Sequence, residues 1–527
     1  MVFFAYYILW PGVGNTTHMS YIGCLNDAGT AGVPYHPQQA PRFPFSISLR
    51  RLREIFADCS DYQVRSVWPG GEEMPGVALC WLEGLVSAKN VSQDVLRPLT
   101  DAARLRPKEH GAATAERILR GAVWACSVEL CSSTDALVEA LLAGCCAVVF
   151  DAEASALCFE VRTDNARAIS PPAVEKTVKG GKDAFVEVFR TNTALVRRRI
   201  RDPALKLKEL SVGRKSHTTV GVAYLDGVAN QATLAELLRR LGDVDIDALS
   251  SAGSLEQYIT DRPGSPFPQL LHTERPDRFA AELLAGRIGI LVDGLPMGFL
   301  LPATLASFMQ VAEDRAQHFL VASGLTLLRW LSALISALFP AVLVAVSMYH
   351  QEMIPTKLLL SMIEAKQQVP FSEAVEVLAM LLAFELLMEA GIRLPDPAGD
   401  TVSIIGALIV GQSAVTARVV SPITVIVVAT SAICGFTQPS RDMGAALRLV
   451  RLGMVLLAIF FGLFGIAVGI ALLSWYLSTL ESFGVAYTSP MAEGGLREVL
   501  YRLLQPPLRS AKLREAALHT PDRRNQK

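Results

Sequence analysis

Three long, nearly uncharged stretches constrain this chain more than any other feature. Residues 402–436 contain a single charged side chain, Arg418, residues 452–477 contain none, and residues 325–346 carry only Arg329. Each stretch reaches the roughly 20 residues that a helix needs to cross the apolar core of a bilayer. The first is also too long, and too rich in Gly, Ser and Thr, to be one core helix of a soluble protein. The pattern predicts a membrane protein.

Charge divides the chain into two parts and excludes some functions. Charged residues are plentiful in the first 320 positions, and the whole chain carries 49 basic and 50 acidic side chains. A net charge near zero argues against binding of nucleic acid, in which neutralisation of phosphates dominates affinity. The sequence contains no HExxH, GxSxG or GxGxxG motif, and its eight histidines are scattered. We therefore expect no enzymatic activity, no metal and no cofactor.

The charged part contains an internal repeat. Two pairs of segments are similar: residues 78–86 (ALCWLEGLV) with 222–229 (VAYLDGVA), and residues 135–151 (DALVEALLAGCCAVVFD) with 277–293 (DRFAAELLAGRIGILVD). In each copy an apolar strand leads into a helix, and a later helix ends in Leu-Ala-Gly before a second apolar strand. Gly144 and Gly286 have the position of a helix C-terminal cap. The repeat predicts two small α/β domains in tandem.

A further apolar run, residues 288–309, is interrupted by the charge of Asp293. Its first five residues align with residues 146–150 of the earlier copy, where a span is implausible. We therefore predict a strand and a loop with Pro296 and Pro302, and not a membrane helix.

These patterns predict the fold class: an α/β cytoplasmic module of two tandem repeated small domains plus an all-α polytopic membrane domain. The predicted segments are an N-terminal extension (1–41), a first α/β domain (42–165), a basic linker helix (166–211), a second α/β domain with a strand-loop exit (212–315), a membrane domain of four to five helices (316–480) and a basic tail (481–527). From residue 494 onward the tail has eight Lys or Arg against three acids. The positive-inside rule places it in the cytoplasm with the α/β module, which requires an even number of crossings.

A basic run lies in the predicted linker helix at Arg197, Arg198, Arg199 and Arg201. Two interpretations are compatible with it. The run can be the solvated face of a linker helix, or it can form a contact surface for a neighbouring subunit or for anionic lipid headgroups.

The segment 371–392 is helical in pattern but carries four glutamates. Ionisable groups at membrane depth normally face protein or water and not lipid. Glu385 and Glu389 are four residues apart and share one helix face, so they could line a cation path. In the alternative interpretation the helix lies at the membrane interface and both side chains contact solvent.

A second candidate for a pore lies in residues 404–416, where polar side chains interrupt an aliphatic run. Gln412, Ser413 and Thr416 share a face with Ile405 and Ile409. Small and polar residues permit close helix packing, which is one interpretation. The other is a polar pore with a hydrophobic constriction made by the two isoleucines.

Several long blocks resemble the A subunit of the GerA family of spore germinant receptors. They lie between residues 171 and 451 and include EKTVKGGKDAFVEVFRTNTALVRRRIRDP, GRKSHTTVGVAYLDG, FPQLLHTERPD followed by LLAGRIGILVDGLP, VPFSEAVEVLAMLLAFELLMEAGIRLP, IIGALIVGQSAV and VVSPITVIVVA. The NTALVRRRIRD run also resembles the paralogous SpoVAF branch of the family.

The resemblance implies a multi-pass subunit of a complex in the inner spore membrane. Its partners would be a permease-like B subunit that binds the nutrient, a lipoprotein C subunit, membrane lipid and further copies of the A subunit. These copies would form an oligomeric, nutrient-gated ion channel that triggers germination. The SpoVAF-like alternative implies a channel subunit that promotes release of ions or dipicolinate. A membrane transporter or a scaffold subunit are alternatives from other classes, although the inverted repeats typical of transporters are not visible.

Overall fold

The computed structural model describes residues 42–43, 45–68, 76–101, 115–116, 118–119, 127–163, 172, 175, 177, 179–249, 251–393, 411–491, 499, 504–505, 507 and 511–525. The chain from Phe45 to Lys527 forms one compact unit. Two antiparallel sheets with their helices come first, and a group of apolar helices follows.

The first sheet is formed by β1 (Tyr62–Val67), β2 (Val77–Leu82), β3 (Val128–Cys131), β4 (Cys145–Phe150) and β5 (Ser155–Glu160). The strands lie in the order β1-β2-β4-β5-β3, and neighbouring strands are antiparallel. The associated helices are α1 (Leu49–Ile55), a helical segment in three pieces (Ala88–Asn90, Val91–Leu96, Arg97–Thr100) and α2 (Thr134–Leu142). The central strand β4 is buried over nearly its whole length, as its apolar sequence predicts.

The second sheet follows the helix α3 (Phe189–Arg199) and has the same strand order, β6-β7-β9-β10-β8. Its strands are β6 (Leu205–Val212), β7 (Thr218–Leu225), β8 (Leu271–Thr273), β9 (Ile288–Val292) and β10 (Gly298–Leu301). The remaining helices of this part are α4 (Gln231–Gly242), α5 (Ala252–Ile259), α6 (Pro276–Leu284) and α7 (Leu305–Phe308).

Two local predictions from the repeated motifs are confirmed. The helices α2 and α6 end just before Gly144 and Gly286, whose φ angles of +92° and +104° lie in the left-handed region that favours glycine. The apolar run at 288–309 is not a long helix. It begins with the predicted strand, β9, but the predicted loop contains a second strand, β10, and the short α7.

The strand β6 begins at Leu205, inside the segment assigned to the linker from sequence. Its first four residues, LKLK, alternate apolar and charged side chains, and it lies at the edge of the second sheet beside β7. Such alternation is typical of a strand with one solvated face. The repeat comparison did not include this strand, so the second domain starts earlier than predicted.

The helical part comprises α8 (Phe319–Tyr349), α9 (Thr356–Lys366), α10 (Glu373–Arg393), α11 (Pro422–Phe436) and α12 (Arg441–Ser478). Residues 411–416 are also helical. Among the described residues, α8 and α12 are long and apolar enough to cross a membrane, whereas α11 is apolar but has 15 residues. One apolar core joins this part to the second sheet, since Ala333 of α8 and Met443 of α12 are buried together with Phe279 of α6.

The helix α12 reverses direction at Gly462. There the backbone has φ 61° and ψ −140°, which is not helical. Beyond the turn, Gly465 lies against the backbone of Leu457 and Gly469 lies against Met454. Residues eight positions apart in a straight helix are about 12 Å from each other, so these contacts require a hairpin of two arms. The prediction that residues 452–477 form one crossing is therefore wrong, because hydropathy carries no information on chain reversal.

Both ends of this hairpin contact the second α/β domain. Near its start, Asp442 lies 3.3 Å from Nδ1 of His272 in β8. Just after its end, the short hairpin of β11 (Glu481–Ser482) and β12 (Val485–Ala486) docks on the same domain. The amide of Phe483 donates to Asp261, at 2.7 Å. The hairpin thus leaves the α/β domain and returns to it.

Candidate functional site

The four glutamates of α10 have very different surroundings. Glu373 and Glu376, in the first turn, are 3% and 1% exposed. Glu385 is half-buried, and Glu389 is exposed. Since a carboxylate is costly to bury without partners, the first two glutamates require specific compensation.

Lys366 and Thr424 provide it for Glu373. The ammonium group at the end of α9 lies 2.6 Å from one carboxylate oxygen. The hydroxyl of Thr424 donates to the other oxygen, at 2.6 Å. This carboxylate therefore has one cation and one hydroxyl donor, a complete pair of partners.

Glu376 receives its partner from the start of α11. Ser421 is the N-cap of this helix, and its hydroxyl accepts a hydrogen bond from the amide of Thr424 at 3.3 Å. The amide of Ser421 itself donates to Oε2 of Glu376, at 2.8 Å. The positive end of the α11 dipole favours a carboxylate at this position. The other oxygen, Oε1, is buried and has no hydrogen-bond partner among the described residues.

We name Glu373, Glu376, Lys366, Ser421 and Thr424 the carboxylate cluster. It adjoins an apolar core formed by α8, α10, α11 and α12. Among the described residues, the ammonium group of Lys366 contacts Glu373, and the negative charge of Glu376 is balanced by the partial charge of a helix N-terminus.

Glu385 has a different environment, which argues against the prediction that it lines a cation path. Its carboxylate lies 2.9 Å from Nη2 of Arg451 and 3.6 Å from Nη1 of Arg448, both on α12. Arg451 is 5% exposed and also contacts the hydroxyl of Ser431. Two guanidinium groups beside one carboxylate would repel a cation, so this contact joins α10 to α12.

The other predicted pore residues lie partly outside the described residues. Ile405 and Ile409 are among those that the structure does not describe. Gln412, Ser413 and Thr416 are exposed on the helical turn at 411–416, where the hydroxyl of Thr416 donates to the carbonyl of Gln412 at 2.8 Å. Glu389 is exposed one turn beyond Glu385.

The basic run has an unexpected role at Arg197. This side chain is 0% exposed and forms two hydrogen bonds to Asp61, at 2.8 and 2.9 Å. A third hydrogen bond, at 2.8 Å, reaches the carbonyl of Leu205. Arg197 therefore joins the two α/β domains within one chain, and the prediction that it forms a subunit or lipid contact is wrong for this residue.

The neighbouring arginines are closer to the surface. Arg198 donates to the carbonyl of Thr163 in the first domain, and Arg199 pairs with Asp183 at 2.5 Å. Arg201 is exposed. The interface hypothesis therefore rests on Arg201 and on the exposed parts of the two others.

A histidine connects the α/β domain to the start of the hairpin. Nε2 of His272 lies 3.5 Å from Glu256, and its Nδ1 faces Asp442. Burial lowers the pKa of His272, but hydrogen bonding to Asp442 and the charge of Glu256 outweigh it and raise the pKa to about 9. The imidazole is therefore cationic at neutral pH and bridges two carboxylates.

Sequence reasoning missed Lys366, Ser421 and Thr424. The helix start at Ser421-Pro422 was visible as an N-cap signal. The sequence did not show that this helix start lies against Glu376, 45 residues earlier in the chain.

The comparisons with known proteins now identify the family. Residues 50–517 match the family model described as Bacillus/Clostridium GerA spore germination protein. The chain belongs to this family. The GerA-family chain is 35% identical over 459 residues to spore germination protein KA of Bacillus subtilis (strain 168), which covers 86% of this chain and 84% of the relative.

A second relative covers even more of both chains. Spore germination protein GerLA of Bacillus cereus is 33% identical over 474 residues, which is 90% of this chain and 95% of the relative. The N-terminal domain of the A subunit of the Bacillus megaterium spore germinant receptor GerK3 has been solved by crystallography. It is 29% identical and covers 50% of this chain and 99% of that chain, with a TM-score of 0.39. Membership of the GerA family gives this chain a role in spore germination.

Proposed function

We propose that this chain is the A subunit of a spore germinant receptor and forms a nutrient-gated ion channel as an oligomer in the inner spore membrane. The observation that carries the proposal is the carboxylate cluster, in which Glu373 and Glu376 are buried beside apolar helices. Ionisable groups in such surroundings are expensive and mark ion paths and functional contacts. Permease-like B and lipoprotein C subunits are the proposed partners.

The proposed topology is multi-pass, with the α/β module and the tail on the cytoplasmic side. The hairpin of α12 supports it, because a segment that leaves the α/β domain and returns to it adds an even number of crossings or a re-entrant loop. In this topology the arginines of the hairpin's first arm lie on the same side as the module, in agreement with the positive-inside rule. The common strand order of the two sheets supports a tandem repeat as the origin of the module.

An oligomer is proposed because one chain offers few helices with which to surround water. Repeated contacts around a symmetry axis would close a ring. In that ring, the exposed polar side chains of Gln412, Ser413 and Thr416 would face the axis, together with Ile405 and Ile409.

The test combines cross-linking and flux measurements on the full-length protein. Cross-linking in native membranes should give a discrete oligomer above the dimer. In proteoliposomes that contain the receptor subunits, nutrient should start ion flux.

A cysteine at position 413, in a background without the native cysteines, should make this flux sensitive to a charged thiol reagent. A cysteine at Ile426, which is exposed on α11, serves as the matched control and should leave flux insensitive. A monomer in native membranes, or equal sensitivity at both positions, contradicts the proposal.

A further inference from the structure

The carboxylate cluster contains a buried oxygen that its own residues leave unsatisfied. Glu376 is 1% exposed, and its Oε1 has no hydrogen-bond partner among the described residues. Buried polar atoms are nearly always partnered in folded proteins, so an exception of this kind points to a bound water or ion.

The hydrogen atoms of the cluster can be assigned one by one. The single hydroxyl hydrogen of Thr424 is used at 2.6 Å by Glu373, so its 3.3 Å contact with Oε2 of Glu376 has no second hydrogen to offer. The hydroxyl of Ser421 lies 2.8 Å from that of Thr424 and donates to it. The amide of Ser421 is bound to Oε2 of Glu376. The Lys366 ammonium group contacts Glu373, and its remaining hydrogens do not reach Oε1, which has no hydrogen-bond partner among the described residues.

A proton on Glu376 would not remove the problem. A protonated Oε1 would itself be a donor, and no acceptor among the described residues lies within hydrogen-bond distance of that atom. A better partner for Oε1 is a group that binds its lone pairs and does not itself need a hydrogen-bond acceptor. A metal cation has this property.

Charge selects the class of cation. Lys366 already neutralises Glu373, from which it is 2.6 Å away. One unit of negative charge then remains on Glu376, reduced by the dipole at the start of α11. A monovalent cation neutralises this charge, whereas a divalent cation would leave a buried positive excess. The available ligands are the carboxylate and hydroxyl oxygens that hard cations prefer.

We propose that Glu376, with the oxygens of Glu373, Ser421 and Thr424, forms a binding site for one monovalent metal cation. The inference deepens the proposed channel function by naming a site and an ion class. Its test is an equilibrium binding measurement that requires no flux. The cation site can therefore be refuted while the channel proposal stands, and the channel proposal can be refuted while the cation site stands.

The experiment uses the full-length protein in detergent. Thermal unfolding is recorded in KCl, in NaCl and in N-methylglucamine chloride, at one pH and one ionic strength. A metal ion at a hundredfold excess over its Kd should raise Tm by about 3 °C relative to the organic cation, with a saturating concentration dependence. Glu376→Gln should abolish this difference. Glu389→Gln, a neutralisation at an exposed position of the same helix, is the matched control and should retain it.

A binding measurement protects the test against a variant that does not fold. Equilibrium dialysis of the unmodified chain against radioactive rubidium or sodium should give about one ion per chain, released by excess unlabelled salt. Equal Tm in the metal and organic salts, the same shift in Glu376→Gln, or no bound isotope would each overturn the proposal and leave a bound water as the partner of Oε1.

Discussion

The buried pair of Arg197 and Asp61 makes a sharp prediction for the junction of the two α/β domains. Both side chains are 0% exposed and joined by two hydrogen bonds. Burial opposes the positive charge, yet the carboxylate of Asp61 keeps the pKa of Arg197 above its ordinary value. Arg197→Met removes the guanidinium, keeps most of the side-chain length and leaves Asp61 buried without its cation. Breaking one partner of such a pair costs about 3–5 kcal/mol.

This loss should appear as local opening, because Arg197 also holds the carbonyl of Leu205 at the start of β6. At about 1.4 kcal/mol per factor of ten, the opening equilibrium should rise between roughly a hundredfold and a few thousandfold. Hydrogen-exchange mass spectrometry of the full-length protein in detergent measures it directly. Amides of β1 and β6 should exchange faster by this factor, while those of α11 should be unchanged.

Two further variants complete this experiment. Arg198→Met changes the adjacent, partly exposed arginine, which donates a hydrogen bond to the carbonyl of Thr163, and should have a small effect. Asp61→Leu combined with Arg197→Met replaces the pair by apolar groups and should recover much of the protection, since such replacements are often neutral. Equal exchange in the Arg197 and Arg198 variants would refute the reasoning.

Three other predictions concern the helical part and its junction. His272 has a pKa of about 9 in the folded chain and about 6.5 in the unfolded chain. Its contribution to stability is therefore complete below pH 6.5 and is lost as pH rises through 9. Over this pH window Tm should fall more in the wild type than in His272→Gln. Glu385→Gln should lower the amount of folded protein in membranes, because Arg451 is left buried without its carboxylate; normal abundance with changed ion selectivity would restore the pore interpretation. Gly465→Ala should destabilise the hairpin, since a Cβ there overlaps the opposite arm, whereas Gly453→Ala, with open space around it, should be neutral or stabilising by up to about 1 kcal/mol in a thermal melt.

The sequence predicted best those features that depend on a few adjacent residues. The ends of α2 and α6 were visible because Leu-Ala-Gly places a glycine where the backbone must become left-handed, and Gly144 and Gly286 do so. The start of the run at 288–309 was predicted as a strand, and not as a membrane helix, because it aligns with residues 146–150 of the earlier copy. Both inferences are local, and neither needs knowledge of which segments meet in space.

Features that depend on contact between distant segments were not predicted. Arg197 meets a carboxylate 136 residues earlier, so its basic neighbours in sequence misleadingly indicated an outer surface. The reversal at Gly462 was hidden for a similar reason. Within an uncharged run, hydropathy is the same for one long helix and for two arms that pack on each other, and the glycines that permit packing fit both.

The glutamates of α10 show how this limit affects the choice of functional residues. Sequence periodicity favoured Glu385 and Glu389, because residues four apart share a helix face. Periodicity describes one helix alone, whereas the state of a carboxylate depends on what the neighbouring helices present to it. Arg448 and Arg451 of α12 contact Glu385, and the N-terminus of α11 contacts Glu376. The first contact satisfies its carboxylate with two cations, and the second leaves one buried oxygen open. A cation that enters this helical part would therefore be repelled at Glu385 and attracted at Glu376, which moves the expected ion contact from the end of α10 to its beginning.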